Sequence, residues 1–336
     1  MRAKNDRILL GHGGGGLLSR ELIDAEIIPR FGDGPLRGLP DAARLEAGGT
    51  ALVFSTDSFV VQPLEFAGGD IGCLAVHGTV NDIAVAGGRP RWLSLGLILE
   101  EGLELAVLRR VLDSIARAAT DCGIAVVTGD TKVVGSGQCD GMYVNTAGIG
   151  EVIPGFALER ESLREGDAVL ASGTLGDHGM AVMAARAGFR AGGLYSDTAP
   201  VHRLVEAIAE LAPSVRFMRA PTRGGVAAVG NEMVEELEVG LVLEERALPF
   251  SPEARAVAEL LGLDLLHVAS EGRLLLACDR DAAAGIVERW QAMPEGGGAR
   301  VIGTVGGAAG RVVLETAVGT RRLVDVPRGE LLPRIC

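Results

Sequence analysis

Short apolar, β-branched runs alternate along this chain with segments whose apolar residues recur at helical spacing. The alternation happens twice, on either side of a polar stretch at 153–166 that carries Pro154, Gly155 and Gly166. Compact apolar runs suit strands, and apolar positions three or four apart suit helices. Interleaved as they are here, they require sheets with helices packed on them. In the first half, 50–61 reads as a strand and 70–87 as a helix stopped at Gly87-Gly88. A strand follows at 92–99, an amphipathic helix at 104–121 ended by Gly123, and strands at 124–128 and 142–149. The second half opens with the strand AVLAS at 168–172. Helices near 178–187, 201–211, 225–237, 252–261 and 281–292 mix there with strands near 239–243, 265–269, 273–278 and 300–305. The expected fold class is α/β, in its mixed α+β form, with domains at 1–153 and 165–318. An extended tail at 319–336, carrying Pro327, Gly329 and Pro333, would follow. Ten extended residues reach roughly 30 Å, enough to carry the chain end across a domain.

At 336 residues, 48% of them hydrophobic, the chain can build two cores without cross-links. Its five cysteines, Cys73, Cys122, Cys139, Cys278 and Cys336, form no CxxC pair and show no zinc spacing. A net charge of −12 opposes nonspecific binding to nucleic acid or to an anionic membrane. No apolar stretch approaches the ~18 residues of a spanning helix, and the first residues lack the apolar core of a secretion signal. The cytoplasm is the expected compartment. Of the 32 basic residues only Lys4 and Lys132 are lysines. Lysine offers a compact point charge that a guanidinium does not imitate.

Several constellations carry chemistry. Gly11-His12-Gly13-Gly14-Gly15-Gly16 precedes a helical pattern from Leu17, and glycines let backbone amides approach a phosphate near a helix start. Asp57 in Ser-Thr-Asp-Ser and Asp130 in Thr-Gly-Asp-Thr-Lys each follow an apolar strand, and Asp82, after Asn81, interrupts an apolar helix. A buried carboxylate is costly unless paired or bound to metal, and hard oxygens suit Mg²⁺ bridging to phosphates. Lys132 lies two residues from Asp130. Pro221-Thr222-Arg223-Gly224-Gly225 opens another helix with a cation and two glycines, again suited to an anion. Glu271, in Ala-Ser-Glu-Gly-Arg between two expected strands, can act as a general base. The chain ends in Leu-Pro-Arg-Ile-Cys, which is not a prenylation box. It places the thiol of Cys336 on a tail, where it is accessible.

Taken together these residues resemble the HypE family of hydrogenase maturation proteins, carbamoyl dehydratases of the PurM (aminoimidazole ribonucleotide synthetase) superfamily. The likeness covers nearly the whole chain. It rests on STDSFVVQPLEFAGGDIGCLAVHGTVNDIAVAGGRPRWLSLGLILEEG at 55–102, VTGDTKVV at 127–134, SGTLGDHGMAVM at 172–183, PTRGGVA at 221–227 and PRIC at 333–336. The last of these selects the branch. The resemblance implies a two-domain PurM-like fold whose N-terminal domains pair in a homodimer, with ATP bound near the dimer and domain interface. Implied site residues are Cys336 as the modified thiol, Lys132 and Glu271 as catalytic groups, and Asp57, Asp82 and Asp130 as Mg²⁺ ligands. His12 to Gly16, Thr56, Asn81, Thr131, Arg223, Gly224 and Gly225 would hold the nucleotide.

The implied reaction is ATP-dependent dehydration of a carboxamide on Cys336 to a thiocyanate, which supplies cyanide to the iron of [NiFe]-hydrogenase. A carbamoyltransferase, HypF, would load the thiol, and a HypC–HypD complex would accept the cyanide. Glu271 would take the nitrogen proton, and Ser270 stands before it where the resemblance leads one to expect asparagine. The tail is expected in two arrangements, one with Cys336 near Lys132 and Glu271 and one outside. Alternatives are a selenophosphate synthetase, a thiamine-monophosphate kinase or a non-catalytic maturation scaffold. The first expects a reactive residue near the N-terminus, and no cysteine precedes Cys73. The second has no need of a terminal cysteine, and magnesium-dependent ATP hydrolysis separates the third from an enzyme.

Overall fold

The computed structural model describes residues 7–14, 16–31, 39–189, 192–326, 332 and 334–336. The expectations placed on Gly15, and on Pro327, Gly329 and Pro333 of the tail, fall outside these residues. The described N-terminal residues hold a 3₁₀ turn at Leu10–His12 and, from Gly16, a helical run of α1 (Gly16–Leu22), a π turn at Ile23–Ile27 and α2 (Ile28–Phe31). Next come β1 (Ala43–Ala47), β2 (Thr50–Phe59), a short hairpin of β3 (Glu65–Phe66) and β4 (Gly69–Asp70), and α3 (Ile71–Val85). β5 (Gly88–Glu100), α4 (Leu105–Cys122), β6 (Ala125–Val134) and β7 (Met142–Val152) complete the first half.

Five of these strands form one sheet in the order β1-β2-β7-β5-β6. All neighbours are antiparallel except β5 and β6. Helices α3 and α4 pack together on one side of it. The other face presents Phe54, Trp92, Ile98 and Ile149 to solvent.

Helix α3 organises the molecule. Asp70 caps it by accepting from the amides of Gly72 and Cys73, at 2.8 and 3.0 Å. Every residue of α3 except Cys73 and Asp82 is buried. A helix apolar on all sides must be covered on all sides, and α3 is. It meets the first sheet and α4 in its own half, and α6 and β9 of the second half. At Gly78 an added Cβ would stand 2.6 Å from the Phe59 ring. Glycine there lets α3 lie close on β2, which carries Asp82 over Ser55.

The second half contains β8 (Ala168–Ala171), α5 (Asp177–Arg186), α6 (His202–Ala207), β9 (Val215–Arg219), α7 (Gly225–Val234) and β10 (Leu241–Glu244). It continues with α8 (Pro252–Leu261), β11 (Leu275–Cys278), α9 (Arg280–Gln291), β12 (Arg300–Val305), β13 (Val312–Glu315) and β14 (Arg321–Leu323). The strands build a seven-stranded sheet in the order β14-β13-β10-β12-β8-β11-β9. Two readings change. Leu265–His267, inside the stretch read as a strand, is a 3₁₀ turn, so Glu271 does not lie between two strands. Arg321–Leu323, read as the start of the tail, pairs with β13. Strand β1 escaped notice because its sequence is polar, and β9 because it is short and carries Arg216 and Arg219. Among the described residues no helix is long and apolar enough to cross a membrane.

Candidate active site

Three carboxylates meet where β2, α3 and the entry to β1 converge. Ser55 on β2 places its hydroxyl 2.9 Å from Oδ2 of Asp82 and 2.9 Å from the carbonyl of Asp41. Asp57, two residues along β2, points to the same side, because alternate residues of a strand share a face. Burial pushes the proton affinity of Asp82 well above the ordinary carboxylate range, and the charges of Asp41 and Asp57 push it further. Asp41 and Asp57 are raised as well, mainly by burial, with Arg219 and Arg223 respectively working against the shift. Arg219, at the end of β9, sits 3.1 Å from Asp41 and 3.2 Å from Glu232.

Buried carboxylates that raise one another suit a hard divalent cation. Among the described residues no three His, Cys, Asp or Glu side chains form a ready-made metal cluster. The carboxylate oxygens of Asp41, Asp57 and Asp82 are of the hard type that Mg²⁺ takes beside water and phosphate oxygens.

Glu271 is buried beside this acidic group. Its amide donates to Oδ1 of Asp197 at 2.8 Å, and its carbonyl accepts from Nδ2 of Asn81 at 3.0 Å. Ser270 donates its amide to Pro221 and accepts from the Gly176 amide at 2.7 Å, anchoring the turn. At Gly272 an added Cβ would lie 1.8 Å from the Asp197 carbonyl, so only glycine lets the two loops close. Burial and then the charge of Asp57 push the Glu271 carboxyl up to about 8, although a bond to Cys336 pulls the other way. Oε1 of Glu271 has no hydrogen-bond partner.

The chain end reaches this carboxyl. Cys336 is half-buried as a residue, with its thiol turned inward onto Glu271. Burial and the negative charge of Glu271 raise the thiol well above its usual range, and Arg223 partly offsets them. Leu332 and Ile335 are buried in the core shared with α3, α5 and α8. The described end of the tail thus sets Cys336 against Glu271, as expected, but not near Lys132 of the same chain.

The glycine-rich segment faces the same region. The Gly13 carbonyl accepts from Arg223 at 2.7 Å, and Nδ1 of His12 accepts from the Leu9 amide at 2.8 Å. A cavity of ≈ 590 Å³ opens here, lined by His12, Gly13, Gly16, Asp41, Arg219 and Arg223 among others. Its volume suits a nucleotide. Gly14 is half-buried in the same loop. Gly224 and Gly225 allow close packing at their turn. Both have positive φ, and a Cβ on Gly225 would stand 2.6 Å from the Val268 carbonyl. At that turn the group suited to an anion is Arg223.

Four expected site residues lie elsewhere. Asp57 is in register with Thr146, Leu95 and Gly129 across the sheet, whereas Asp130 aligns with Gly96, Asn145 and Ser58. Within one chain Asp130 therefore faces the open side of the sheet, roughly 14 Å across three strand spacings from Asp57. A single chain does not assemble Asp57, Asp82 and Asp130. Lys132 shares that open face, bonded to Asp130 at 2.9 Å and 69% exposed. Thr131 lies between them on the edge strand, and Thr56 is exposed on the face opposite Asp57. Asn81 changes role. It is buried, donates to the carbonyls of Ala199 and Glu271, and accepts from the Val201 amide at 2.8 Å. That leaves its amide committed to positioning Glu271.

Asp41 and Asp197 were missed. The signal for Asp41 was an acid just ahead of a strand, hidden because β1 itself is polar. Nothing in the sequence around Asp197 sets it apart from a surface turn.

The chain matches the model of the AIR synthase related protein family over both its N-terminal domain, at residues 40–152, and its C-terminal domain, at 164–315. It is 46% identical to the carbamoyl dehydratase HypE of Rhodobacter capsulatus, with all of both chains covered. It is 43% identical to that of Escherichia coli K12, over 98% of this chain and 100% of the other. Among solved structures it resembles a HypE–HypF complex with TM-score 0.85 and 39% identity, over 93% of this chain and 100% of that one. It also resembles HypE in complex with ATP, with TM-score 0.82 and 42% identity, over 98% and 100%. With the acidic cluster, the buried glutamate and the docked terminal thiol in place, the chain belongs to the carbamoyl dehydratase HypE family within the AIR synthase related proteins.

Proposed function

We propose that this protein dehydrates a carboxamide carried on its own Cys336, using ATP, and so makes the cyanide ligand of [NiFe]-hydrogenase iron as a protein-bound thiocyanate. The observation that carries the reading is the contact of the Cys336 thiol with the buried carboxyl of Glu271. A carboxamide on that sulfur would put its nitrogen beside a base whose proton affinity, at about 8, is matched to neutral chemistry. The amide oxygen attacks the γ-phosphorus, ADP leaves, and one nitrogen proton passes to Glu271. The carbon–oxygen bond then breaks with its electrons leaving on phosphate, which takes up the second nitrogen proton, and a carbon–nitrogen triple bond forms on sulfur. Asp41, Asp57 and Asp82 would hold Mg²⁺, whose charge neutralises the phosphates. Arg223 supplies a positive charge near both reacting groups.

Asp130 and Lys132 serve from a second copy of the chain. They line the free edge of a sheet whose open face exposes Phe54, Trp92, Ile98 and Ile149, and a homodimer through that face would cover them. This brings a lysine to the transferring phosphoryl group, and Thr56 and Thr131 to the same interface. HypF loads the carbamoyl group, and a HypC–HypD complex takes the cyanide.

Intact-mass spectrometry of the protein with HypF, carbamoyl phosphate and ATP tests the reading. One carbamoyl mass should be gained at Cys336 and one water then lost, only with ATP and magnesium present. Adducts at other cysteines, or a carbamoyl group that persists with ATP, would overturn it.

A further inference from the structure

The tail is read by its backbone. The Arg334 carbonyl accepts from the Gln62 amide at 3.2 Å and from the Arg186 guanidinium. The Ile335 carbonyl lies 2.7 Å from Nε2 of His178, near the start of α5. A carbonyl only accepts, so Nε2 carries a proton. Burial keeps the ring neutral, which leaves Nδ1 to accept from the Ser196 hydroxyl at 2.8 Å. The ring also stands edge-on to Phe66, with centroids 5.4 Å apart. Ser196 in turn accepts from the Thr198 amide at 3.1 Å and donates its own amide to Ala67. The residue between them, Asp197, receives the Glu271 amide. One imidazole therefore touches both the residue before the reacting thiol and the loop that holds the reacting carboxyl.

We propose that His178 is the positioning residue of the self-modified tail, its Nε2–H holding the Ile335 carbonyl so that the sulfur of Cys336 meets Glu271. This rests on the dehydratase reading given above. The main-chain grip makes the seat insensitive to what the sulfur carries. The thiol, its carbamoyl form and its cyano form can all be presented in one place, with release governed by the clasp.

The test compares His178→Phe and His178→Gln in the full chain. In the phenylalanine variant alkylation of Cys336 should quicken about tenfold, the worth of one buried hydrogen bond. Carbamoylation by HypF should be unchanged or faster, and ATP-dependent water loss about tenfold slower. Glutamine keeps an N–H donor and should recover part of both effects. A folded phenylalanine variant with normal alkylation overturns the proposal, whatever happens to dehydration. If that variant does not fold, nitrogen-15 NMR of the wild-type histidines decides, with His178 assigned by its loss in the glutamine variant. The proposal requires an Nε2-protonated ring that shifts when a bulky maleimide on Cys336 expels the tail, and unmoved ring nitrogens overturn it. A wild-type chain that is never carbamoylated or dehydrated would sink the dehydratase reading, while alkylation and NMR still judge the seat.

Discussion

The thiol of Cys336 lies against the carboxyl of Glu271, and the two act on each other in opposite senses: the carboxyl makes the thiol harder to ionise, while the thiol makes the carboxyl easier to ionise. A resting pair of this kind keeps both protons until a carboxamide replaces the thiol hydrogen. The bond that lowered the proton affinity of Glu271 is then gone, and the carboxylate becomes the stronger base.

Glu271→Gln should abolish water loss while leaving carbamoylation intact, and it should alter stability with a definite sign. The folded carboxyl holds its proton up to about 8, against 4.5 for an unperturbed glutamate. The unfolded chain therefore releases the proton first as pH rises. The contribution of this group to stability is fully present below 4.5 and is lost as pH climbs to about 8. Glutamine has no such loss. The melting temperature of the variant should exceed that of wild type by a margin that grows across this window. A constant difference from pH 5 to 9 would show that Glu271 does not titrate there.

In wild type, the rate of dehydration at saturating ATP and magnesium should rise with pH and level off above about 8, as the base loses its proton. Single-turnover mass measurements on pre-carbamoylated protein isolate this step. A flat profile between pH 6 and 9 would remove Glu271 as the base.

Asp82→Asn should stabilise the protein without ligand, because it removes a charge that burial and two neighbouring carboxylates disfavour. The gain expected is on the order of 1 kcal/mol. The same change should shrink the melting-temperature rise produced by ATP with magnesium, and Asp41→Asn should do likewise. An undiminished rise would take these residues out of the metal site.

Lys132→Ala and Glu271→Gln should each be inactive alone, yet regain activity when co-expressed and mixed as one dimer. A shared site predicts this, since one of the two sites in the mixed pair then carries neither defect. Mixed dimers as inactive as their parents would return Lys132 to its own chain's chemistry or to none.

Cys336→Ala should fold, bind nucleotide and lose all carbamoyl adduct, at a cost of about 1–2 kcal/mol for the emptied volume. Thermal melts and intact mass check both parts.

Periodicity alone determined a great deal here. The helix from Ile71 to Val85 was legible because Ile71, Leu74, Ala75, Ile83 and Ala84 recur at helical spacing. Gly123 announced the end of α4, where it adopts φ +67 in the left-handed region. The chemical inventory was also legible: a terminal thiol, a glutamate next to glycine, and aspartates breaking apolar segments. Local spacing states which element a residue occupies and which neighbours share its face. It does not state which strands pair, or how many separate Asp57 from Asp130. Those were decided by the sheet order, which turned Asp130 and Lys132 onto the open face and drew Asp41 into the acidic cluster instead. Packing between loops distant in sequence likewise committed Asn81 to Glu271, buried Asp197, and set His178 on the Ile335 carbonyl. Such contacts arise from the joint burial of segments far apart along the chain, and no single segment encodes them.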